Sequence, residues 1–75
     1  MNDLLTLGEN IKKRRIFLRL NQEDLMEMSG ISTKTIQKIE MGKANPSVQT
    51  LYKLLNILGM SFEITVNKSI THFSL

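Results

Sequence analysis

One segment decides the fold of this chain; it runs from Gln22 to Glu40 and reads QEDLMEMSGISTKTIQKIE. Its polar and apolar residues predict two short amphipathic helices, and the turn between them contains Gly30. The apolar positions that would lock the two helices at a steep crossing are Leu25, Ile31, Ile36 and Ile39. The segment therefore predicts a compact pair of helices across a three-residue turn.

Capping residues set the expected bounds of this helix pair. Asn21 predicts the N-cap of the first helix, which begins at Gln22 and ends at Gly30. Ser32 predicts the N-cap of the second helix, which runs to about Met41. The next residue, Gly42, is suited to the left-handed conformation that ends a helix.

Two further helices are expected on either side of this pair. Thr6 and Glu9 match a capping box, which predicts a first helix over 7–20. Its inner stripe would contain Leu7, Ile11 and Leu18. Asn45 followed by Pro46 predicts the start of a fourth helix, which Gly59 closes. The apolar residues at helical spacing in it are Val48, Leu51, Leu54, Leu55 and Leu58.

The pattern changes to that of a strand after the fourth helix. From Ser61 to Val66, apolar Phe62, Ile64 and Val66 alternate with polar residues, which predicts a half-buried strand. Residues 67–75 are expected to be a tail. The predicted organisation is therefore one domain over 1–60, a strand over 61–66 and a tail over 67–75.

Length and composition exclude several classes of function. The chain has 75 residues, enough for one small domain, and it has no Cys and only one His, so metal and thiol chemistry are not expected. We predict no cofactor, no metal site and no catalytic residue. No run of apolar residues approaches the length of a membrane span, so the expected location is the cytoplasm.

Basic charge is concentrated in one part of the chain. The net charge is +3, and eight of the ten basic residues lie between Lys12 and Lys43, among only four acidic ones. This distribution is typical of a surface that binds a polyanion. A solvated helix face and a basic amphipathic helix on an anionic membrane are alternatives that charge alone leaves open.

The second helix of the pair presents hydrogen-bond donors away from the core. At about 100° per residue, its outward side groups Lys34, Gln37, Lys38 and Met41, opposite the apolar positions. Such a helix can lie in the major groove of DNA, where Lys pairs with guanine and Gln with adenine. We predict that Thr33, Lys34 and Gln37 read bases. Lys38 could contact a base or a phosphate, and Gln22 and Lys43 are placed to hold phosphates.

These residues, at these spacings, resemble the Cro/Xre family of phage-repressor-like helix-turn-helix proteins. The resemblance covers about residues 7 to 60 and includes, in this chain, Ile11-x-x-x-Arg15, Asn21-Gln22-Glu23-Asp24-Leu25, Ser29-Gly30-Ile31-Ser32, Thr35-Ile36, Ile39-Glu40-Met41-Gly42-Lys43 and Asn45-Pro46-Ser47. It implies an all-α, lambda-repressor-like bundle of four to five helices that binds DNA.

The resemblance also implies roles for individual residues. Positions matching Gln22 contact phosphate in this family, and those matching Ser32, Thr33, Lys34, Gln37 and Lys38 supply groove contacts. It pairs Arg15 with Glu40, and a carboxylate on the inner edge of the helix would indeed require a cation. Two positions depart from the family pattern: Met26 replaces a small residue, and Arg14 occupies a site that is often apolar.

The strand after the helices is similar to that of HipB-type antitoxins, which pairs with its twin across a dimer axis. A lone strand leaves open edges, and no second strand is evident in the sequence. We therefore expect Phe62, Ile64 and Val66 to form a dimer contact. Two-fold symmetry would place two recognition helices about 34 Å apart on a palindromic operator.

Three classes of function remain open. The first is a dimeric DNA-binding repressor; within it, the sharper version is the autoregulating antitoxin of a HipA-like toxin kinase, and the plainer one a regulator of a mobile element or restriction system. The second is a protein-interaction module that has lost DNA binding. The third is an enzyme, which is not expected because Glu23, Asp24 and Glu27 have no convergent His, Ser or nucleotide loop beside them.

Overall fold

Four helices and a β-hairpin make up the described part of the chain, residues 3–66 and 69–73 of a computed structural model. The elements are, in chain order, α1 (Asp3–Phe17), α2 (Gln22–Ser29), α3 (Thr33–Glu40), α4 (Val48–Ile57), β1 (Phe62–Val66) and β2 (Ser69–Phe73). The predicted helix-turn-helix bundle is confirmed, with α2 and α3 as its helix pair.

The caps of α2 are those that the sequence predicts. Asn21 Oδ1 accepts a hydrogen bond from the Asp24 backbone N–H at 2.7 Å, and Asp24 Oδ2 accepts one from the Asn21 N–H at 2.9 Å. This reciprocal capping box satisfies two amides that the first helical turn leaves without a partner. Gly30 ends α2 with a φ of 74°, in the left-handed region.

The predicted start of α3 is also confirmed. Ser32 Oγ accepts a hydrogen bond from the Thr35 backbone N–H at 3.2 Å, which makes Ser32 the N-cap. Met41 is the C-cap of the helix, and Gly42 follows with a φ of 72°. The turn between α2 and α3 is therefore bounded by the left-handed Gly30 at the end of α2 and by the N-cap Ser32 at the start of α3.

The core lies between all four helices. Leu25 from α2, Ile36 and Ile39 from α3, and Leu54 from α4 are essentially inaccessible to solvent. The other buried apolar residues are Ile11, Leu51, Leu55 and Leu58, and Ile31 from the turn packs against them while half-buried. Burial of each such side chain contributes about 1.5–3 kcal/mol to the free energy of folding.

The prediction for the first helix is wrong at both ends. α1 begins at Asp3, four residues earlier than expected, so Thr6 and Glu9 are exposed residues within the helix and form no capping box at its start. At the other end, Leu18 follows the helix and is 36% exposed. Arg19 then takes a left-handed conformation with a φ of 60°, which turns the chain toward α2.

A tertiary contact explains the early start of α1. Gly42 lies so close to Leu5 that a Cβ atom at Gly42 would come within 2.7 Å of the Leu5 Cα. The turn after α3 thus packs directly on the first turns of α1, and this packing extends the helix beyond the point where local capping would begin it.

The start of α4 is also displaced from its prediction. The N-cap is Ser47, whose Oγ accepts from the Thr50 backbone N–H at 3.1 Å, so Asn45 and Pro46 precede the helix. As the first helical residue, Val48 is 64% exposed and is not part of the apolar stripe. The remaining predicted positions of that stripe, Leu51, Leu54, Leu55 and Leu58, are buried as expected.

The strand expected over 61–66 exists, but its partner was not predicted. β1 pairs antiparallel with β2, with Phe62 opposite Phe73 and Val66 opposite Ser69. Residues 69–73 are therefore a strand and not a tail, and the premise that β1 has no partner in its own chain is wrong. Residues 67, 68, 74 and 75 of the expected tail lie outside the described residues.

Gly8 sets the closest approach between α1 and α3. It is buried, and a Cβ atom at this position would collide with the main-chain carbonyl oxygens of Ile39 and Glu40. Only a residue without a side chain allows the two helices to meet here. Sequence reasoning missed this role, although Gly8 occurs in the same stripe as Leu4, Ile11 and Arg15 at spacings of four, three and four.

Replacing Gly8 with Ala is expected to destabilise the fold more than replacing Gly30. At Gly8 the added methyl group meets rigid backbone, and such overpacking costs about 1–3 kcal/mol or more, with this site at the upper end. At Gly30 no atom of residues 3–66 and 69–73 beyond its chain neighbours lies within 4 Å of an added Cβ, so the change costs the left-handed conformation of a non-glycine residue, about 1–2 kcal/mol. Urea denaturation of both variants measures the difference, and equal stability of the two would contradict the close approach at Gly8.

Candidate nucleic-acid interface

The outer face of α3 carries exposed donors, and its inner face is locked in the core. Lys34, Gln37 and Lys38 are exposed, whereas Ile36 and Ile39 have at most 1% of their surface accessible. Because these apolar residues fix the rotation of α3 about its axis, the polar side chains project in a defined direction. The structure thus brings together the three long polar side chains that were predicted to face the groove.

The residues at the start of α3, Ser32 and Thr33, cap the helix or line a groove on the surface. The Ser32 hydroxyl donates to the Thr35 hydroxyl at 3.0 Å while accepting the Thr35 amide, so its first role is to cap the helix. Thr33 is half-buried and lines an open groove of about 360 Å³. The other residues that line it, Asn21, Gln22 and Glu23, surround the N-terminus of α2.

A buried ion pair joins α1 to α3, as the sequence predicted. Arg15 Nε donates to Glu40 Oε2 at 2.7 Å, and Arg15 Nη2 donates to Glu40 Oε1 at 2.9 Å. Both residues are buried, and Arg15 Nη1 also donates to the Leu20 carbonyl at 2.9 Å. The two-point geometry fixes the orientation of both side chains, which a single contact would not do.

The ion pair changes the proton affinity of Arg15. Hydrogen bonds to Glu40, together with the negative charge of that carboxylate, raise the pKa of the Arg15 guanidinium above its ordinary value, and burial opposes this rise. The guanidinium is therefore charged at every pH at which the protein folds.

Gln22 connects this ion pair to the surface. Its Nε2 donates to Glu40 Oε1 at 3.2 Å, and the side chain is half-buried at the start of α2. Sequence reasoning assigned Gln22 to phosphate binding alone and missed its contact with Glu40. Lys43, the second predicted phosphate contact, is exposed just after α3.

Arg14 has a structural contact that explains why a basic residue occupies its position. Its Nε donates to the Leu58 carbonyl at 2.8 Å, at the C-cap of α4, where carbonyl groups need donors and the helix dipole favours a cation. The guanidinium also lies 5.1 Å from the ring centroid of Phe17, which is 72% exposed. Arg14 thus links α1 to the end of α4.

The basic residues of the first predicted helix therefore divide into two groups. Arg14 and Arg15 hold elements of the bundle together, whereas Lys12, Lys13 and Arg19 are exposed. Fewer of these charges are available to a polyanion than the sequence suggested. The exposed cations of α3 and the following turn remain available to a polyanion; they are Lys34, Lys38 and Lys43.

The acidic residues of α2 belong to its capping box or lie on its surface. Asp24 belongs to the capping box of α2, and Glu23 and Glu27 are exposed. Within residues 3–66 and 69–73, no cluster of His, Asp or Glu could hold a metal ion, and no helix is both long and apolar enough to cross a membrane. The side chains of Phe62, Ile64 and Val66, the predicted dimer contact, lie outside the described part of the structure.

The helix pair, the caps and the buried ion pair define a helix-turn-helix protein, and comparison with known proteins gives the same answer. Residues 11–64, more than half of the chain, match the helix-turn-helix family. The chain belongs to this family, in its Cro/C1-type branch, whose members are DNA-binding transcription regulators.

Named relatives and one solved structure support the assignment. An uncharacterised regulator from the SPbeta prophage of Bacillus subtilis, YonR, is 37% identical over 91% of this chain and 63% of its own length. A regulator from Methanocaldococcus jannaschii, MJ0272, is 38% identical over 76% of this chain and 86% of its own. The restriction-modification controller protein C.AhdI from Aeromonas hydrophila superposes with a TM-score of 0.75 and 28% identity over 80% of this chain and 91% of its own.

Breaking the ion pair on one side is expected to be far more damaging than replacing both partners. Glu40→Gln leaves the Arg15 guanidinium buried without a counter-charge, which costs about 3–5 kcal/mol. The double substitution of Arg15→Met with Glu40→Leu removes both charges and is expected to be close to neutral. Lys38→Met, which alters an exposed cation, is the surface control and should change the free energy of unfolding by less than about 0.5 kcal/mol.

Chemical denaturation of the four proteins distinguishes a buried pair from a surface contact. A Glu40→Gln variant as stable as the Lys38→Met control would contradict the burial and pairing of Glu40.

Proposed function

We propose that this protein is a homodimeric, sequence-specific repressor that inserts α3 into the major groove of a palindromic DNA operator. The observation that carries the proposal is the two-sided character of α3: Ile36 and Ile39 lock one side in the core, and Lys34, Gln37 and Lys38 project from the other. A rigidly held helix with long donors on its outer face is the element that reads base edges in this class of protein.

Base recognition is assigned to residues 33–37 of α3 and the preceding N-cap. Lys34 and Gln37 are exposed and one helical turn apart, which suits contacts with neighbouring base pairs. Lys donates to guanine O6 and N7, and Gln pairs with adenine N6 and N7. Thr33 reaches a base edge or a thymine methyl group from the start of the helix, and Ser32 adds a groove contact beside its capping bond.

Phosphate binding is assigned to residues that flank the recognition helix. Gln22 lies at the start of α2 and Lys43 in the turn after α3, so the two would hold the DNA backbone on either side of the groove. Lys38 lies on the outer face of α3 and contacts a base or a phosphate, depending on how deeply the helix enters. The phosphate contacts fix the register of the protein on the DNA without reading its sequence.

Dimerisation is assigned to the hairpin. An isolated two-stranded hairpin is marginally stable in water, and in the described part of the chain the sheet consists of β1 and β2. Two hairpins meeting across a two-fold axis would form a four-stranded sheet and satisfy one edge of each. The alternation of Phe62, Ile64 and Val66 in the sequence supports an apolar contact on one side of that sheet.

Two versions of the regulator differ in what lies beside its gene. In one, the protein is the antitoxin of a HipA-like toxin kinase and represses its own promoter; its support is the resemblance of the region after α4 to HipB-type proteins. In the other, it regulates a mobile element or a restriction system without a toxin. The names of the prophage-derived YonR and of the controller C.AhdI favour this second version.

Substitution of Lys34 is expected to alter specificity, whereas substitution of Lys43 alters only affinity. Lys34→Ala should reduce discrimination at one operator position by about 1–3 kcal/mol. Lys43→Ala should weaken binding to all sequences alike and lower the slope of log affinity against log salt by about 1. Titration against operators that vary at single positions measures both effects.

The same titration can also contradict the assignment of Lys34 to base reading. Uniform weakening by Lys34→Ala across all operators would make Lys34 a phosphate contact and contradict its assignment to base reading.

Disruption of the hairpin contact is expected to abolish the dimer and DNA binding together. Ile64→Asp places a charge in the alternating apolar set of β1 and should give monomers in analytical ultracentrifugation. Thr65→Asp, one residue along the same strand and outside that set, is the matched control and should remain dimeric. A dimer that survives Ile64→Asp would contradict dimerisation through this strand.

A further inference from the structure

A single side chain, that of Gln22, connects the buried ion pair with the proposed DNA-binding surface. Glu40 Oε1 accepts hydrogen bonds from both Arg15 Nη2, at 2.9 Å, and Gln22 Nε2, at 3.2 Å. The same carboxylate oxygen therefore joins the interior of the bundle to the first residue of α2. Among the described residues, the Gln22 side-chain amide makes no other hydrogen bond.

The chemistry of the carboxylate fixes which end of the Gln22 amide faces it. An ionised carboxylate only accepts hydrogen bonds, so the amide nitrogen must point toward Glu40 and the flipped amide is excluded. The nitrogen carries two hydrogens, and one of them is used by Glu40. The second remains for another acceptor, and a phosphate oxygen is an acceptor of the required kind.

Arg15 is necessary for this arrangement because of charge. An unpaired carboxylate close to the DNA backbone would repel it, which would weaken any contact that Gln22 makes. The two hydrogen bonds from Arg15 neutralise Glu40 before DNA arrives. The pair thus gives Gln22 an acceptor that orients its amide. Because the pair has no net charge, it does not repel the DNA.

We propose that the Arg15–Glu40 pair acts as a positioning device for DNA binding: it holds Gln22 so that the remaining N–H of its amide meets a phosphate. The proposal rests on the phosphate contact of Gln22 assigned above and adds that the ion pair determines its strength. Arg15 and Glu40 act through Gln22 and do not contact the DNA themselves.

A double-mutant cycle on operator affinity tests this coupling. Gln22→Met is measured once with the native pair and once with Arg15→Met and Glu40→Leu in place of the pair, with the folded fraction of each protein checked by denaturation. In the native background we expect a loss of about three- to tenfold, as for one hydrogen bond. In the apolar background the amide is no longer held, so the same substitution should change affinity less than about twofold.

Lys43→Met is the control substitution in both backgrounds. Lys43 is exposed, and its side chain forms no hydrogen bond or salt bridge with Arg15 or Glu40, so its effect should be the same in the two backgrounds. An equal loss from Gln22→Met in both backgrounds would leave the phosphate contact standing and overturn the positioning role. No loss from Gln22→Met in the native background, with a loss from Lys43→Met, would overturn both. Absence of binding by the native protein to any duplex would overturn the proposed function itself.

A second variant keeps the test decisive if the apolar pair does not fold. Gln22→Asn keeps an amide but is one methylene shorter, so it cannot bridge Glu40 and a phosphate. If the bridge is what matters, Gln22→Asn should lose as much affinity as Gln22→Met. Full affinity of Gln22→Asn would overturn the proposal, because an unpositioned amide would then be sufficient.

Discussion

The orientation of α3 depends on its buried side, and the contact there that joins it to α1 through charge is the ion pair between Arg15 and Glu40. Its two hydrogen bonds cross from α1 to α3 inside the bundle, beside the point where Gly8 brings the two backbones together. Because either charge alone would be costly to bury, the sequence tolerates Arg15 and Glu40 only as a pair. Together with Ile36 and Ile39 in the core, the pair fixes the orientation of α3, and that orientation decides which side chains face outward. Contacts in the interior of the bundle therefore determine the orientation of the surface that is proposed to read DNA.

Local chemistry made the helix pair predictable. The capping of α2 by Asn21 and of α3 by Ser32, together with the left-handed turn at Gly30, depends on residues close to one another in the chain. The same is true of the helical spacing that buries Ile36 and Ile39. The outward face of α3 followed from that spacing alone. The resemblance paired Arg15 with Glu40, and the cost of burying a carboxylate without a cation supported that pairing.

The features that sequence reasoning missed depend on contacts between distant parts of the chain. α1 begins before its apparent cap because Gly42 packs on Leu5. The start of α4 is a local exception: Ser47 is the N-cap, so the helix begins at Val48, after the asparagine and proline that were predicted to open it. β2 was taken for a tail, since a strand of five residues with mixed polarity is recognised only by the partner it pairs with. The contact of Gln22 with Glu40 joins residues 18 positions apart and leaves no local pattern.

The most direct test is a gel-shift titration of the purified protein against the promoter upstream of its own gene, with a scrambled duplex beside it, at 50 and 200 mM salt. A repressor that neutralises about six to ten phosphates should bind the promoter in preference to the scrambled duplex and lose about 10³–10⁵ in affinity between the two salt concentrations. Equal binding to both duplexes, or no binding to either, would contradict the assignment of α3 as a recognition helix and favour a protein-interaction module built on the same fold.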